Sequence, residues 1–503
     1  MDSYTYFKEG LKRAVDEFRK LDKKETIRIV SHLDCDGISS SAILIRALQH
    51  EHRNYTVSIV QQLNEKAMRE LNAENFKYFF FTDLGSSQVS LVESIFKGKK
   101  VFVLDHHELD PKDKISQRVI SAKHDAEQAL KAITAYEHVV HVNPVLFGVD
   151  GGREICGAGI TYLFARILNP VNKASAHIAV IGAIGEVQEH NGFLSLNNEI
   201  LQDALATGTI TVKRGLRFFG MQTRPLHKVL EYSNDPYIPG VTGSESSAIQ
   251  WLHHIGIDPK NGKDWKRGMH LSEEDMAKLS SAIILQRMQD NHENPEDIFG
   301  NVYLLAHEKE GSPFKDAKEF ATLLNSCGRM QKASLGIGAL LGEQKAKKAA
   351  LDNLAAYRKE LLKALNWYKE AQGSRNLVKG NGYIIINAQD NILSTVTGTL
   401  ASIIAKSNEL REGTVIVSMA RTQEQTIKIS TRIAGNKRDY PIDLSAIISA
   451  IIAKIEGASS GGHYQAAGAV IPCAQETLFI AQAQDVLDTM LPAMVQKLSV
   501  RTT

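Results

Sequence analysis

Between residues 26 and 145 the chain repeats one unit: a short apolar run, a turn, then a stretch with helical spacing. The runs are TIRIVSHLD (26–34), TVSIV (56–60), YFFFTDLG (78–85), VFVLDHH (101–107) and VVHVNP (139–144), with SSSAILIRALQH and SQVSLVESIF among the intervening helical stretches. Strands that alternate with helices imply a parallel, doubly wound sheet, since a parallel connection needs a crossover long enough to hold a helix. A run such as VFVL lacks alternation, which marks a strand covered on both faces. Polar groups at the carboxyl ends of such strands lie where open α/β sheets place their ligands.

At 503 residues the chain exceeds one ordinary core and divides into several domains. Helical spacing continues through GAGITYLFARIL and HIAVIGAIGEVQEH to about residue 205. From 206 to 375 the expectation is a mixed, mainly helical insertion with little strand, ending in a long helix around GEQKAKKAALDNLAAYRKELLKALNWYKEAQ. The basic residues of that helix, Lys347, Lys348, Arg358, Lys359 and Lys363, are expected on a solvated face. GSRNLVKGNG (373–382) looks like a linker, after which GYIIINAQ, GTVIVSMAR and TIKISTRIA return to strands, so 376–503 forms a smaller α/β domain. The predicted division is therefore 1–205, 206–375 and 376–503.

A formal charge of +2 argues neither for nor against a nucleic-acid partner, so any such inference must rest on local clusters. Cys35, Cys156, Cys327 and Cys473 are far apart and form no CxxC pair, which suggests neither a disulfide framework nor a zinc ribbon and fits a reducing compartment. No apolar run approaches a membrane span and the N-terminus lacks a signal-peptide core; the expectation is a cytoplasmic protein without a membrane partner.

The chemistry concentrates at three strand ends. SHLDCDG places His32, Asp34 and Asp36 on alternate residues, which in an extended chain point to one side. YFFFTDLG adds Asp83, and VFVLDHH adds Asp105, His106 and His107. So many carboxylates in one crevice repel one another unless cations are present. Mixed oxygen and imidazole ligands suit Mn2+, and less well Mg2+, Co2+ or Zn2+. Read singly, Asp34 could be a helix N-cap and Asp83 a cap before Gly-Ser-Ser; the joint occurrence at successive strand ends favours metal.

SHLDCDG, TDLGSS and LDHH resemble the first three motifs of the DHH phosphoesterase superfamily, and SSGGHYQAAGA resembles the glycine-rich signature of its DHH-associated domain. The resemblance runs through nearly the whole chain. Within the superfamily, PYIPGVTGSES and EFATLLNSCGRM are most similar to the archaeal RecJ homologues called GINS-associated nucleases. It implies an N-terminal parallel-sheet DHH domain and a smaller DHH-associated domain across a cleft. It also implies two divalent cations, one held by His32, Asp34 and a bridging Asp83, the other by Asp36, Asp83, His106 and an acid from a fourth motif. His107 would meet the substrate phosphate and Asp105 would orient the imidazoles. The fourth motif departs from the pattern: HIAVIGAIGEVQEH offers Glu186 where the family has aspartate, moving the carboxylate by roughly 1.5 Å, one bond length. Otherwise Glu186 is a solvated helix residue.

In the C-terminal domain, Gly461 and Gly462 are expected to form a tight turn whose N–H groups, with His463 and Arg432, hold a phosphate. The glycines of EICGAGITYLF mark a helix start whose free N–H groups could meet an anion, or else simple helix packing. His124, His138, His141, His177 and His190 are read as structural or surface histidines.

The implied activity is a Mn2+-dependent single-strand exonuclease on DNA or RNA in archaeal replication or repair, with Asp34 or Asp36 accepting a proton. Two readings compete with it. One is an accessory subunit of a GINS-containing replicative helicase, as in the related eukaryotic helicase subunit. The other is a phosphodiesterase for short oligonucleotides or cyclic dinucleotides; pyrophosphatase chemistry would require lysines and arginines where this chain has GGHYQAAG.

Overall fold

A computed structural model describes residues 2–110, 112–407, 409–435, 440 and 442–499, leaving out the side chains of His463 and 492–499. The chain packs as two compact units, 1–353 and 354–503.

The first unit is built on β1 (Ile27–His32), β2 (Tyr55–Val60), β3 (Tyr78–Thr82), β4 (Lys100–Leu104) and β5 (Val139–Val142). These pair in the order β2-β1-β3-β4-β5, all parallel. Both faces are apolar because both are covered. Phe79, Phe81, Val101 and Val103 meet Met68, Leu71, Val92 and Phe96 of the intervening helices. On the other face Phe80 and Phe102 stack at 4.6 Å and meet Phe18 and Phe164 edge-on. Each such burial contributes roughly 1.5–3 kcal/mol, so the strands are held by side chains that cannot face water. β1 lies between β2 and β3, and the crossovers leave it in opposite directions across the sheet. Its carboxyl end is therefore a topological switch point, where a crevice opens.

From 206 the unit continues with helices and with an antiparallel ribbon, β6 (Ile210–Leu216) against β9 (Phe299–Leu305), the regular strand pairing that the expected mainly helical region did not anticipate. A two-residue pair, β7 (Lys260–Asn261) and β8 (Asp264–Trp265), lies between them. Phe218, Leu226, Leu252, Leu279 and Ile283 give this region its own core. The helix Ala317–Arg329 then returns to the parallel-sheet domain. Lys347, expected in solvent, pairs instead with Glu308 at 2.5 Å and lies over the Phe314 ring.

The second unit carries β10 (Leu377–Gly380), β11 (Tyr383–Asn387), β12 (Val415–Arg421), β13 (Thr426–Ile433), β14 (Ser459–His463) and β15 (Ala466–Pro472), in the order β10-β11-β12-β13-β15-β14. β11 and β12 are parallel and the other pairs antiparallel. Tyr383 and Ile385 join a cluster with Ile447, Ile448, Phe479 and Leu487, while the alternate residues Ile384 and Ile386 are buried on the opposite face. Two expectations are corrected here. The supposed linker 373–382 contains β10. Gly461 and Gly462 form no tight turn: they lie within the edge strand β14, and the turn falls at Tyr464 and Gln465.

Among the described residues no helix is long and apolar enough to cross a membrane. All four cysteines are free, three of them buried.

Candidate metal centre

His32 ends β1, but Asp34 and Asp36 do not continue the strand. Asp34 caps the helix Cys35–His50, accepting the Gly37 N–H at 3.1 Å, and Asp36 lies in that helix's first turn. Period-two alternation is therefore not what gathers these three side chains. A strand end, a cap and a helical turn converge instead, and Asp34 is both a cap and a member of the cluster. Asp83 follows β3 in the left-handed region (φ 60°), a conformation aspartate tolerates better than most residues, while its N–H still donates to Leu104 O at 2.9 Å. It caps no helix, since the following 3-10 turn starts from Gly85 without a side-chain cap.

The three strand ends bring these groups together. His32 Nδ1 lies 2.7 Å from Asp34 Oδ2 and 3.6 Å from Asp83 Oδ2. On the other side of the same carboxylate, His106 Nε2 is 3.2 Å from Asp83 Oδ1 and 3.6 Å from Asp36 Oδ2, and His107 Nδ1 is 3.9 Å from Asp83 Oδ1. Two triads result, His32–Asp34–Asp83 and Asp83–His106–His107, each with one donor atom per residue close enough to share an ion. Both oxygens of Asp83, Nε2 of His106 and Nδ1 of His32 are buried, and their close contacts with one another and with Asp34 lack hydrogen-bond geometry. Buried polar atoms left without partners cost about 1–3 kcal/mol each, so four of them facing one another fit a cation better than a vacant interior.

Electrostatics agree. Burial and the neighbouring Asp83 charge push the Asp36 carboxyl up to about 7. Burial, then Asp34 and Asp36, do the same to Glu186, also to about 7. Burial opposes charge on the His32 and His106 imidazoles, yet Asp34 and Asp83 beside His32, and Asp83 and Asp36 beside His106, hold both well above the ordinary range. Asp34 is drawn down, since the adjacent His32 charge outweighs its burial. These groups thus hold protons more tightly than usual, as donors that would exchange protons for cations do.

Glu186 is the C-cap of the helix Ala176–Gly185. It is half-buried and belongs to neither triad, but it lies close enough to interact electrostatically with Asp34, Asp36, His106 and His107. Asp105 is fully buried. Its carboxylate accepts the N–H groups of Ser86 at 2.8 Å, His106 at 2.8 Å and His107 at 3.2 Å, and lies 2.7 Å from His107 Nδ1. That places it behind both histidines. His107 keeps about a third of its side-chain surface in solvent.

Several supporting residues are not readable from the motifs. The glycines of GAGITYLF do begin a helix, Gly157–Leu168, but the anion at its start is the protein's own: Gly157 N–H and Ala158 N–H donate to Asp36 at 2.7 and 2.8 Å. A β-carbon at 157 would sit 2.8 Å from Asp83 Cβ and 3.0 Å from Asp36 Oδ2, so only glycine allows both carboxylates in. His106 Nδ1 donates to Gly151 O at 2.6 Å, which turns Nε2 toward the carboxylates, and Gln188 Nε2 donates to the same oxygen at 2.9 Å. From nearly three hundred residues away, Asn325 accepts the Cys35 N–H at 2.9 Å, and Gly328 packs where any β-carbon would strike Leu33 O. EFATLLNSCGRM carried a resemblance, but nothing local in it revealed that it braces the SHLDCDG turn. Of the histidines set aside, His141 is structural: buried, paired with Ser86 Oγ at 2.9 Å and pushed down to about 4 by burial.

In the second unit, Arg432 on β13 donates from Nε to Ser402 Oγ at 3.0 Å and from Nη1 to Thr431 O at 2.8 Å. Gly461 and Gly462 are exposed on β14, opposite Gly468 and Ala467. His463 pairs through its backbone with Ala466; its side chain lies outside the described residues.

Comparison with known proteins matches residues 26–185 to the DHH family, N-terminal domain, 218–298 to the DHH-CID domain and 381–489 to the DHHA1 domain. An uncharacterized protein of Methanocaldococcus jannaschii is 27% identical over 96% of this chain and 98% of its own length. Among solved structures, CDC45 from Entamoeba histolytica superposes with a TM-score of 0.60 at 12% identity, over 97% of this chain and all of that one. RecJ from Thermus thermophilus in complex with Mn2+ gives 0.55 at 16% identity, over 95% of this chain; the chain spans 54% of that protein's length. An exonuclease RecJ bound to manganese gives 0.53 at 16% identity, over 95% and 94% of the two chains.

Proposed function

Because the chain belongs to the DHH superfamily and has a RecJ-like fold, we propose that it is a Mn2+-dependent phosphodiesterase, acting as an exonuclease on single-stranded DNA or RNA in replication or repair. The observation that carries this reading is the set of four buried donor atoms on Asp83, His106 and His32 that converge without hydrogen-bonding at the switch point of the sheet. His32, Asp34 and Asp83 would hold one cation, and Asp36, Asp83, His106 and Glu186 the other, with Mg2+ or Co2+ as substitutes. When bound, such ions supply an activated water and neutralise the phosphoryl oxygens.

The chain's own residues do the rest. His107, held at Nδ1 by Asp105, meets the scissile phosphate from the solvent side of the cluster. Of the two candidate proton acceptors, Asp36 is sealed and already accepts two N–H bonds, whereas Asp34 keeps a route to solvent. Either Asp34 or Asp36 is proposed to take the proton, Asp36 as the more basic of the two and Asp34 as the one nearer solvent. In the second unit, Arg432, the backbone of Gly461 and Gly462, and His463 are proposed as phosphate contacts. We keep 1–205, 206–375 and 376–503 as the functional division, for metal chemistry, connection and substrate holding.

The test is Asp83→Ala. It should retain the fold by circular dichroism, lose Mn2+ binding in calorimetry and release no nucleotides from labelled single strands. Nuclease activity equal to wild type would overturn the assigned site.

A second reading, an accessory subunit of a GINS-containing helicase assembly with weak or no activity, draws on the CDC45-like fold. Copurification with GINS together with undetectable Mn2+ binding would make it the better one.

A further inference from the structure

The helix Ala176–Gly185 ends beside the metal centre in an uncommon way. Gln188 N–H donates to Ala183 O at 3.0 Å and Val187 N–H to Ile184 O at 3.1 Å. That pair of bonds is the Schellman ending, whose left-handed residue is ordinarily glycine, or sometimes asparagine. Here it is Val187, at φ 58°. A β-branched residue is among the least tolerant of that region, because its branched β-carbon crowds the backbone.

Packing of the isopropyl group does little to offset this strain. Val187 is 77% exposed, the most exposed of the large apolar residues described. The next residue explains why the turn exists: Gln188 is buried, donates to Gly151 O and accepts from Asn197 Nδ2 at 2.6 Å, thereby fixing the carbonyl that orients His106. Glycine or asparagine at 187 would allow the same turn with less strain. The isopropyl group is therefore held outward on a rigid anchor, one residue from Glu186, whose charge interacts with Asp34, Asp36, His106 and His107. Further along the same loop Phe193 packs on Tyr303, so the segment is anchored at both ends. Strained residues that their surroundings hold in place concentrate at functional sites.

We propose that Val187 is a substrate contact, its isopropyl group packing against the base or sugar of the nucleotide next to the scissile phosphate. This rests on the single-strand nuclease reading and adds to it a sequence-tolerant apolar grip, since every base and every sugar presents an apolar face. Apolar side chains pressed against bases are a general means of holding a strand in place. Val187 acts on binding and supplies no group to the proposed metal ligands or the proton path.

The experiment compares wild type with Val187→Gly and Val187→Asn, both suited to a left-handed residue. Expected are thermal midpoints equal to or above wild type, unchanged Mn2+ affinity in calorimetry, and a KM for a single-stranded oligonucleotide raised about 5- to 20-fold, as for one lost base contact, with kcat changed less. A KM within twofold of wild type in both variants overturns the proposal while leaving the nuclease reading intact. A fall of several degrees in both midpoints also overturns it, because Val187 would then be packing inside the protein. If the wild type itself cleaves no single strand, the nuclease reading fails and this proposal with it.

Discussion

The two units carry glycine-rich segments that the sequence links to phosphate chemistry, and they are built in opposite ways. At Gly157 a β-carbon would meet Asp83 and Asp36 within 3.0 Å, so the glycine is enforced by side chains packed around it. At Gly461 a β-carbon would meet nothing within 4 Å. The first segment serves a buried cluster whose geometry is over-determined by a helix start, three strand ends and a distant asparagine. The second is the exposed edge of a sheet, where nothing crowds the backbone at Gly461. The two constructions suit different chemistry: a buried cluster supplies fixed, desolvated donors, whereas an exposed sheet edge supplies open main-chain groups.

The largest effect should come from filling the first glycine. Gly157→Ala places a methyl group against Asp83 Cβ, which the left-handed backbone at 83 cannot move aside cheaply, and tilts the helix start that holds Asp36. Mn2+ binding in calorimetry and nucleotide release should both fall by about 100-fold or more, as when a ligand is displaced outright. Metal affinity within threefold of wild type would show that the cluster is less constrained than its contacts indicate.

A smaller effect follows from protonation. In the metal-free protein Asp36 and Glu186 are pushed up to about 7, and His32 and His106 are held well above the ordinary range. The folded state therefore keeps protons that the unfolded chain has released: on the carboxylates from about pH 4 to 7, and on the imidazoles above about 6.5. Since stability falls with pH wherever the folded state binds more protons, these groups weaken the metal-free fold as pH rises from 5 to 8. Cations replace the protons, so the rise in thermal midpoint given by saturating Mn2+ should be larger at pH 8 than at pH 6, by about 5 °C. An increment that shrinks with pH would contradict the protonation pattern. Because the second unit offers no such cluster among its described residues, the increment belongs to the first.

How much of this was legible from the sequence follows the same contrast. Apolar runs without alternation foretold the parallel sheet, because burial on both faces leaves a mark on every residue of a strand. The acid and imidazole residues were legible as a set, but not the way they meet. HxDxDG reads as one extended face, whereas the chain turns into a helix after His32, and nothing in a six-residue pattern distinguishes the two. Asn325, Gly328 and Gln188 were hidden for a different reason: they act through single hydrogen bonds or close contacts to backbone far along the chain, which leave no local period. In the second unit the error ran the other way. GG suggested a turn because glycine is common in turns, yet SSGGH pairs as a strand, with little β-branched character to announce it.

The smallest effect, and the sharpest contrast within one segment, concerns the neighbours Gly461 and Gly462. Gly462 has φ 134°, and a β-carbon there would lie 2.5 Å from Ala466 O and from Ala467 Cα, both backbone atoms of the partner strand β15. Gly462→Ala should therefore detach the edge strand locally and lower stability by about 1–3 kcal/mol, seen as a lower unfolding midpoint in urea. Gly461→Ala meets open space and should stay within about 0.5 kcal/mol of wild type. All the proposed cation ligands lie in the first unit, so Mn2+ affinity should be constant across both. If the β14 backbone holds a phosphate, Gly461→Ala weakens binding of a single strand by a few-fold at unchanged stability, because its methyl group occupies the space an anion would enter. Equal strand affinity in Gly461→Ala and wild type would instead leave this edge as architecture, with glycine needed at 462 for pairing alone.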